Sequence, residues 1–316
     1  MLAAGEGMRV RSLATRLTGQ PLPKQYVNFV GTRSMLEHTF QRAEKLIPSD
    51  RLYTVASRGH LEFTAARRQL AARPAGTVVL QPENRDTAPG LLLPLMHLAA
   101  RHPRAVVAVF PADHYILEEG LFMAHVELAL SAVEIDESRL VLLGIQPGEP
   151  EPDYGYILPG AAAGSLGLRN VSRFIEKPAR HVAAELALRG GLWNTLVMAF
   201  RAGALLELAR SLAPDLAAAF ERIGEAIGTP REQEVTREVY RSLRPLNLSR
   251  DLLENLPARH PSCLLVLSVH GVHWSDWGSE QRVLGAMAAA SARGAHREVP
   301  TQAPPVAARS GALLST

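Results

Sequence analysis

The chain has 316 residues, 47% apolar and 21% charged, the composition of a globular protein with one large or two small domains. It contains no run of about 18 apolar residues and no basic stretch leading into a long apolar one, so neither a membrane span nor a signal peptide is expected. The net charge is only +3 and arginines are scattered along the chain. No aromatic-interleaved basic cluster or zinc-finger spacing appears, which argues against a nucleic-acid partner. The single cysteine, Cys263, has no internal disulfide partner and sits at the head of an apolar run, as a buried structural thiol would. The expected compartment is the cytoplasm.

The chain opens on Leu2-Ala3-Ala4-Gly5-Glu6-Gly7-Met8-Arg9, with Pro23-Lys24 close behind. An apolar stub meets a glycine-rich turn, then an arginine and a lysine. Backbone amides freed by glycine, beside two fixed cations, suit a polyphosphate. The dinucleotide fingerprint Gly-x-Gly-x-x-Gly fails because Val10 stands at the third glycine, and the ATPase phosphate loop finds no match near Gly5. An ordinary strand-to-helix turn also explains these first residues taken alone.

Apolar, β-rich runs at residues 52–56, 77–80, 105–110 and 140–145 alternate with helical periodicity at 35–46, 61–72, 88–100 and 121–135. Continuous apolar strands separated by helices predict a mostly parallel sheet covered on both faces, with ligands beyond the C-terminal ends of the strands. Residues 154–158 and 168–175 read as two strands joined across the Gly/Ala-rich segment 160–167. A further strand is expected at 192–200, helices from Ala202 to about Asn255, a late strand at 264–269 and a helix from about Ser279. The segment 288–316, rich in Ala, Ser, Arg and Pro, reads as an unstructured tail.

Four constellations follow strands. Pro111-Ala112-Asp113-His114 places an aspartate where a central strand ends, and Trp274-Ser275-Asp276-Trp277-Gly278 repeats that logic. Two such carboxylates can share a Mg²⁺ ion bound to substrate phosphates, although either alone also suits a helix cap or turn. His114 reads as structural rather than as a ligand. Phe174-Ile175-Glu176-Lys177-Pro178 offers an acid for sugar hydroxyls and a base for phosphate, or a plain surface ion pair. Gln81-Pro82-Glu83-Asn84-Arg85-Asp86-Thr87-Ala88-Pro89 suits base recognition, or a helix start capped by Thr87.

Taken together and in this order, over about residues 1–285, these segments resemble the sugar-nucleotide pyrophosphorylases, and most closely the mannose-1-phosphate guanylyltransferases. Tyr154-Gly155-Tyr156-Ile157 is similar to the family's sugar-side loop and Trp193-Asn194-Thr195 to its Trp-Asn-Ser. The resemblance implies a Rossmann-like, GT-A-like three-layer α/β/α nucleotidyltransferase fold with a mostly parallel mixed sheet. The domain would span 1–287, with a nucleotide part at about 1–146 and a sugar-phosphate part at about 147–287. It implies Mg²⁺ as cofactor, GTP and α-D-mannose 1-phosphate as substrates, GDP-mannose and pyrophosphate as products, and a homodimer as one expectation.

Carried over residue by residue, the resemblance implies that Arg9, Lys24, Asp113 and Lys177 are catalytic and that Asp113 and Asp276 hold the metal. Leu2, Ala3, Ala4, Gly5, Gly7, Met8, Arg9, Lys24, Asn84, Arg85, Thr87, Pro111 and Asp113 would bind the nucleotide. Gly155, Tyr156, Glu176, Lys177 and Asn194 would bind the sugar phosphate. The chain departs from the pattern at Met8 (usually threonine), at Val10-Arg11-Ser12-Leu13 (usually Leu-x-Pro-Leu), at Asp86 (usually asparagine) and at Thr195 (usually serine). None of these removes a charged catalytic group. A different sugar phosphate or nucleotide, or a silent nucleotide-sugar sensor, are the alternatives. No isomerase domain and no hexapeptide repeats are seen, as in short single-function forms. Only four residues precede Gly5 where a full strand is usual, which suggests a natural start further upstream.

Overall fold

The computed structural model describes residues 1–164 and 166–297. In chain order the first half comprises α1 (Arg11–Thr18), α2 (Met35–Ala43), β1 (Thr54–Ser57), α3 (Thr64–Ala71), β2 (Val78–Gln81), α4 (Thr87–Arg101) and β3 (Val106–Val109). Then come β4 (Tyr115–Ile116), α5 (Glu119–Ile135), β5 (Leu140–Ile145), β6 (Tyr156–Ala162), β7 (Leu168–Ile175), α6 (Arg180–Leu188) and β8 (Leu192–Arg201). The chain continues through α7 (Ala202–Leu212), α8 (Pro214–Ala226), α9 (Glu232–Ser242), α10 (Leu256–Arg259), β9 (Leu264–Val269), β10 (Trp274–Ser275) and α11 (Glu280–Arg297).

The six-stranded sheet runs β3-β8-β5-β9-β7-β6. The parallel pair β1–β2 extends it through the N-terminal stub, because Leu2 bridges in parallel to both Val55 and Pro111. The stub is clasped on both edges: Leu2 N–H donates to Phe110 O at 2.8 Å and Ala3 N–H to Val55 O at 2.9 Å. Strands β1, β2, β3, β5, β6 and β9 share one direction with the stub, and β7 and β8 oppose it. The mixed sheet with most strands in one direction is therefore as expected, although within the six-stranded sheet only the described pair β5–β9 is parallel. Reversed β8, lying between β3 and β5, makes the pairings on both its edges antiparallel.

Alternation along the central strands builds the three layers. Val141, Leu143 and Ile145 of β5, with Leu265, Leu267 and Val269 of β9, pack into one core beside Phe122, Met123 and Val126 of α5. Leu140, Leu142, Leu264 and Val266 face the opposite core, made with Leu205 of α7, Phe220 of α8 and Val239 and Tyr240 of α9. Each side chain of β5 is buried, which is why its sequence is a continuous apolar run rather than an alternating one.

The structure corrects several boundaries. β6 begins at Tyr156, not 154, and runs to Ala162, into the segment taken as a joiner. Its register breaks at Pro159, which has no amide proton for the ladder, and resumes beyond it. The helix at Thr87 is capped by Asp86, whose carboxylate accepts from Thr87 N–H at 2.6 Å. Thr87 is thus the first helical residue, and its hydroxyl accepts from Leu248 N–H at 2.8 Å. Helix α11 reaches Arg297, well into the segment 288–316 read as a tail, while residues 298–316 lie outside the described residues. Cys263 precedes β9, whose bounds are those expected. It is half-buried, with its thiol donating to Ser138 O at 3.4 Å and its pKa pushed up by burial.

Candidate active site

The glycine-rich turn owes its shape to two contacts. Gly7 has φ 61°, left-handed, and a Cβ there would lie 3.0 Å from the backbone nitrogen of Lys24. From the other side Gln25 Nε2 donates to Ala3 O at 2.8 Å and to Gly5 O at 2.9 Å. Gln25 is 2% exposed, so this side chain is a fixed brace for the loop. Sequence reasoning passed over it, although it follows the motif lysine directly.

Lys24 joins the aspartates that follow two distant strands. Its Nζ lies 2.9 Å from Asp113 Oδ2 and donates to the backbone carbonyl of Asp276 at 2.6 Å. Asp276 Oδ1 accepts from Tyr154 OH at 3.0 Å, Gly278 N–H at 2.8 Å and Arg282 Nη1 at 2.6 Å. Burial pushes the Asp276 carboxyl up, but Lys24, Arg282 and the Gly278 amide outweigh it and hold it below its ordinary value. His114 is pulled down to about 4, chiefly by burial against the opposing pull of Asp113 and Asp276. It is neutral at pH 7, and Trp274 Nε1 donates to its Nδ1 at 3.2 Å. That supports its reading as a structural residue.

Lys24, Asp113, His114 and Asp276 line a cavity of about 640 Å³. Of the expected nucleotide residues it collects Leu2, Ala4, Gly5, Arg9, Lys24, Asn84, Thr87, Pro111 and Asp113, and it adds Asp276, Asp86 and Gln81. Ala3 is 1% exposed and buried behind the loop, and Met8 is 62% exposed and turned outward. Gly7 and Arg85 also lie off the cavity wall, with Arg85 Nη2 held by Glu83 at 2.8 Å. Gln81 is 1% exposed, and neither side-chain polar atom has a hydrogen-bond partner. Leu246 N–H donates to Arg85 O and Ala88 N–H to Leu246 O, so the segment around Pro245 walls the cavity, a contribution no local motif announced.

The sugar-side residues form a second group next door. Asn194 N–H donates to Gly155 O at 2.8 Å, and a Cβ on Gly155 would lie 2.6 Å from Glu176 Oε2. Only glycine lets that carboxylate approach. Glu176 is pushed up from its ordinary value by burial, with Lys177 opposing. Lys177 has φ 49°, a 56% exposed side chain, and Nζ 4.0 Å from Glu176 Oε1. Tyr156 is fully buried, and its hydroxyl is taken by Glu151 N–H and Trp193 Nε1, so its side chain serves the fold. Tyr154 OH and Leu196 link this group to Asp276 and to the cavity.

Asp113 and Asp276 are the residues that could hold Mg²⁺, which keeps water and substrate phosphates among its ligands and needs few protein groups; Lys24 is paired with the Asp113 carboxylate. No cluster of three metal-ligating side chains occurs among the described residues, and no described helix is long and apolar enough to cross a membrane.

Comparison with known proteins gives the family. XanB, a xanthan biosynthesis protein of Xanthomonas campestris pv. campestris strain B100, is 33% identical over 240 residues, covering 75% of this chain and 48% of that protein. Mannose-1-phosphate guanylyltransferase 2 of Escherichia coli O157:H7 is 27% identical over 298 residues, 89% of this chain and 58% of that protein. The chain thus spans about half the length of these curated relatives. A Thermus thermophilus structure described as a mannose-1-phosphate geranyltransferase superposes with TM-score 0.73 at 28% identity, covering 89% of this chain and 77% of that one. UDP-glucose pyrophosphorylase complexed with UDP-glucose shares the fold, with TM-score 0.55 at 15% identity. The sequence model of the nucleotidyl transferases matches residues 1–292, and the chain belongs to that family.

Proposed function

We propose that the chain transfers a guanylyl group from GTP to α-D-mannose 1-phosphate, giving GDP-mannose and pyrophosphate. The observation that carries this reading is the convergence of Arg9, Lys24, Asp113 and Asp276, from four separate segments, on one cavity. The Gly155–Glu176–Asn194 group lies beside it. Relatives named as mannose-1-phosphate guanylyltransferases support the choice of sugar and nucleotide.

In this reading a phosphate oxygen of the sugar phosphate attacks the nucleotide α-phosphorus in line. The bond to the β-phosphate bridging oxygen breaks, and pyrophosphate leaves. Positioning and charge neutralisation carry the rate, without a covalent enzyme intermediate. Arg9 and Lys24 offset charge on the departing pyrophosphate. Asp113 and Asp276 would hold Mg²⁺, which when bound polarises the phosphoryl oxygens and orients them. Lys177 meets the sugar phosphate, and Glu176 and Asn194 meet sugar hydroxyls. The Gln81 amide, unpaired at the cavity wall, and Asn84 suit the edge of the base.

The test is a panel of nucleoside triphosphates and sugar 1-phosphates with pyrophosphate detection, with and without Mg²⁺. GTP with mannose 1-phosphate should give the highest kcat/KM, and Asp113→Ala or Asp276→Ala should abolish the Mg²⁺-dependent release. Preference for another pair would replace this reading with a different sugar-nucleotide pyrophosphorylase.

A further inference from the structure

Arg9 and Asp276 are also engaged by groups that the reaction just described does not use. Arg9 Nη1 lies 3.0 Å from Asp153 Oδ2, and Arg282 Nη2 lies 3.2 Å from that same oxygen. Arg282 Nη1 donates to Asp276 Oδ1 at 2.6 Å, and Asp276 Oδ2 lies 3.7 Å from Arg9 Nη2. The four side chains close a ring of alternating charge. In it the Asp153 carboxylate sits between two guanidinium groups, one from the N-terminal loop and one from α11.

Two guanidinium groups converging on one oxygen form an arrangement suited to a phosphate oxygen. The two ends of the ring differ in how firmly they are held. The Arg9 and Asp153 side chains are 51% and 47% exposed, so water screens their attraction and little is lost when they part. Arg282 and Asp276 are only 21% and 18% exposed. Arg282 also donates to Tyr154 OH at 2.8 Å, lies 4.7 Å from the Tyr154 ring centroid and has Glu151 Oε2 at 3.3 Å. The arginine is anchored, and the carboxylate in front of it is the weakly held member.

We infer that Arg282 is a second phosphate-binding arginine acting with Arg9, and that Asp153 is an internal anion occupying their joint site until a substrate phosphate displaces it. This rests on the reading above only in that a substrate phosphate comes to Arg9. Asp153 lies two residues before Gly155, so its release would also free the segment that carries the sugar-side glycine.

The test is calorimetric binding of inorganic pyrophosphate to the full chain, with and without Mg²⁺, with thermal unfolding of each variant alongside. Asp153→Asn removes the resident charge and should tighten binding roughly two- to fivefold, the scale of one exposed ion pair. Arg282→Gln should weaken it about tenfold or more, the scale of a charge-assisted hydrogen bond. Arg282→Lys should recover part of that loss, restoring the charge without the planar fork. Unchanged or weaker binding by Asp153→Asn overturns the inference. So does an Arg282→Gln variant that binds pyrophosphate as the parent does, whatever its melting temperature. If Arg282→Gln fails to fold, Asp153→Asn alone decides. Pyrophosphate is common to every reaction of this class. A preference for another nucleotide, or no turnover at all, would therefore remove the proposed substrates and leave this site standing.

Discussion

The two motif lysines are built in opposite ways. Lys24 is 7% exposed and fixed at both ends, by the Asp113 carboxylate and the Asp276 carbonyl. Lys177 is mostly solvated, pairs with Glu176 at 4.0 Å, and sits at φ 49°, where a side chain strains the backbone. The proposed nucleotide side therefore holds its lysine in place within the fold, and the proposed sugar-phosphate side leaves its lysine exposed to solvent. A preorganised charge contributes most in the transition state. A mobile one contributes mainly to capture, and it loses side-chain entropy when it binds.

Lys24→Met should break the contrast most severely. It strips the cavity of its central charge, with an expected loss on the order of 10²–10³ in kcat, read in the pyrophosphate-release assay. It also leaves Asp113 without its partner. Because Asp113 is 32% exposed, the stability cost should be about 1–2 kcal/mol, below the roughly 3–5 kcal/mol of a fully buried broken pair. Lys177→Gly should act on capture alone, raising KM for the sugar phosphate about tenfold with kcat much less affected. Relief of the left-handed strain should leave its thermal stability equal to the parent's or up to about 1 kcal/mol higher. Equal losses of stability in the two lysine variants would erase the distinction.

Gly7→Ala should cost about 1–2 kcal/mol in denaturant unfolding, because a Cβ at φ 61° meets the Lys24 backbone at 3.0 Å. The smallest effect is expected at Glu176, whose folded pKa is raised by burial, with Lys177 opposing. A carboxyl with a raised folded pKa supports the fold only while protonated, so its contribution is complete below the unfolded value and is lost as pH rises through the folded one. Glu176→Gln should therefore match the parent in acid and become modestly more stable towards neutral pH, as thermal unfolding across that range would show.

Legibility followed locality. The strands at 140–145, 168–175 and 264–269 were readable to the residue because each carries a dense apolar pattern between sharp breaks. Residues 160–162 read as a joiner because Gly160 and Ala161 have weak strand preference, yet pairing with β7 holds them extended. Asp113, Glu176, Lys177 and Asp276 were visible because each comes shortly after a strand, and Arg9 and Lys24 because they flank a glycine-rich turn. Arg282 and Gln25 were not. Their roles depend on groups distant in the chain, Asp153 for one and the carbonyls of Ala3 and Gly5 for the other. Asp153 was hidden for the same reason, since its two arginines come from opposite ends of the sequence.

The clasped N-terminal stub has a consequence for how the molecule comes together. Its backbone amides donate to Val55 and Phe110, more than 50 and 100 residues away. The glycine-rich loop, shaped by Lys24 and Gln25, hangs from that stub, so it is fixed to the sheet only once the stub lies between β1 and the end of β3. Closing such long loops precedes any reward from the contacts they enable. Anchoring of the turn is thus a late product of folding, and in pulse-labelled hydrogen exchange the Leu2 and Ala3 amides should gain protection after those of β5 and α5.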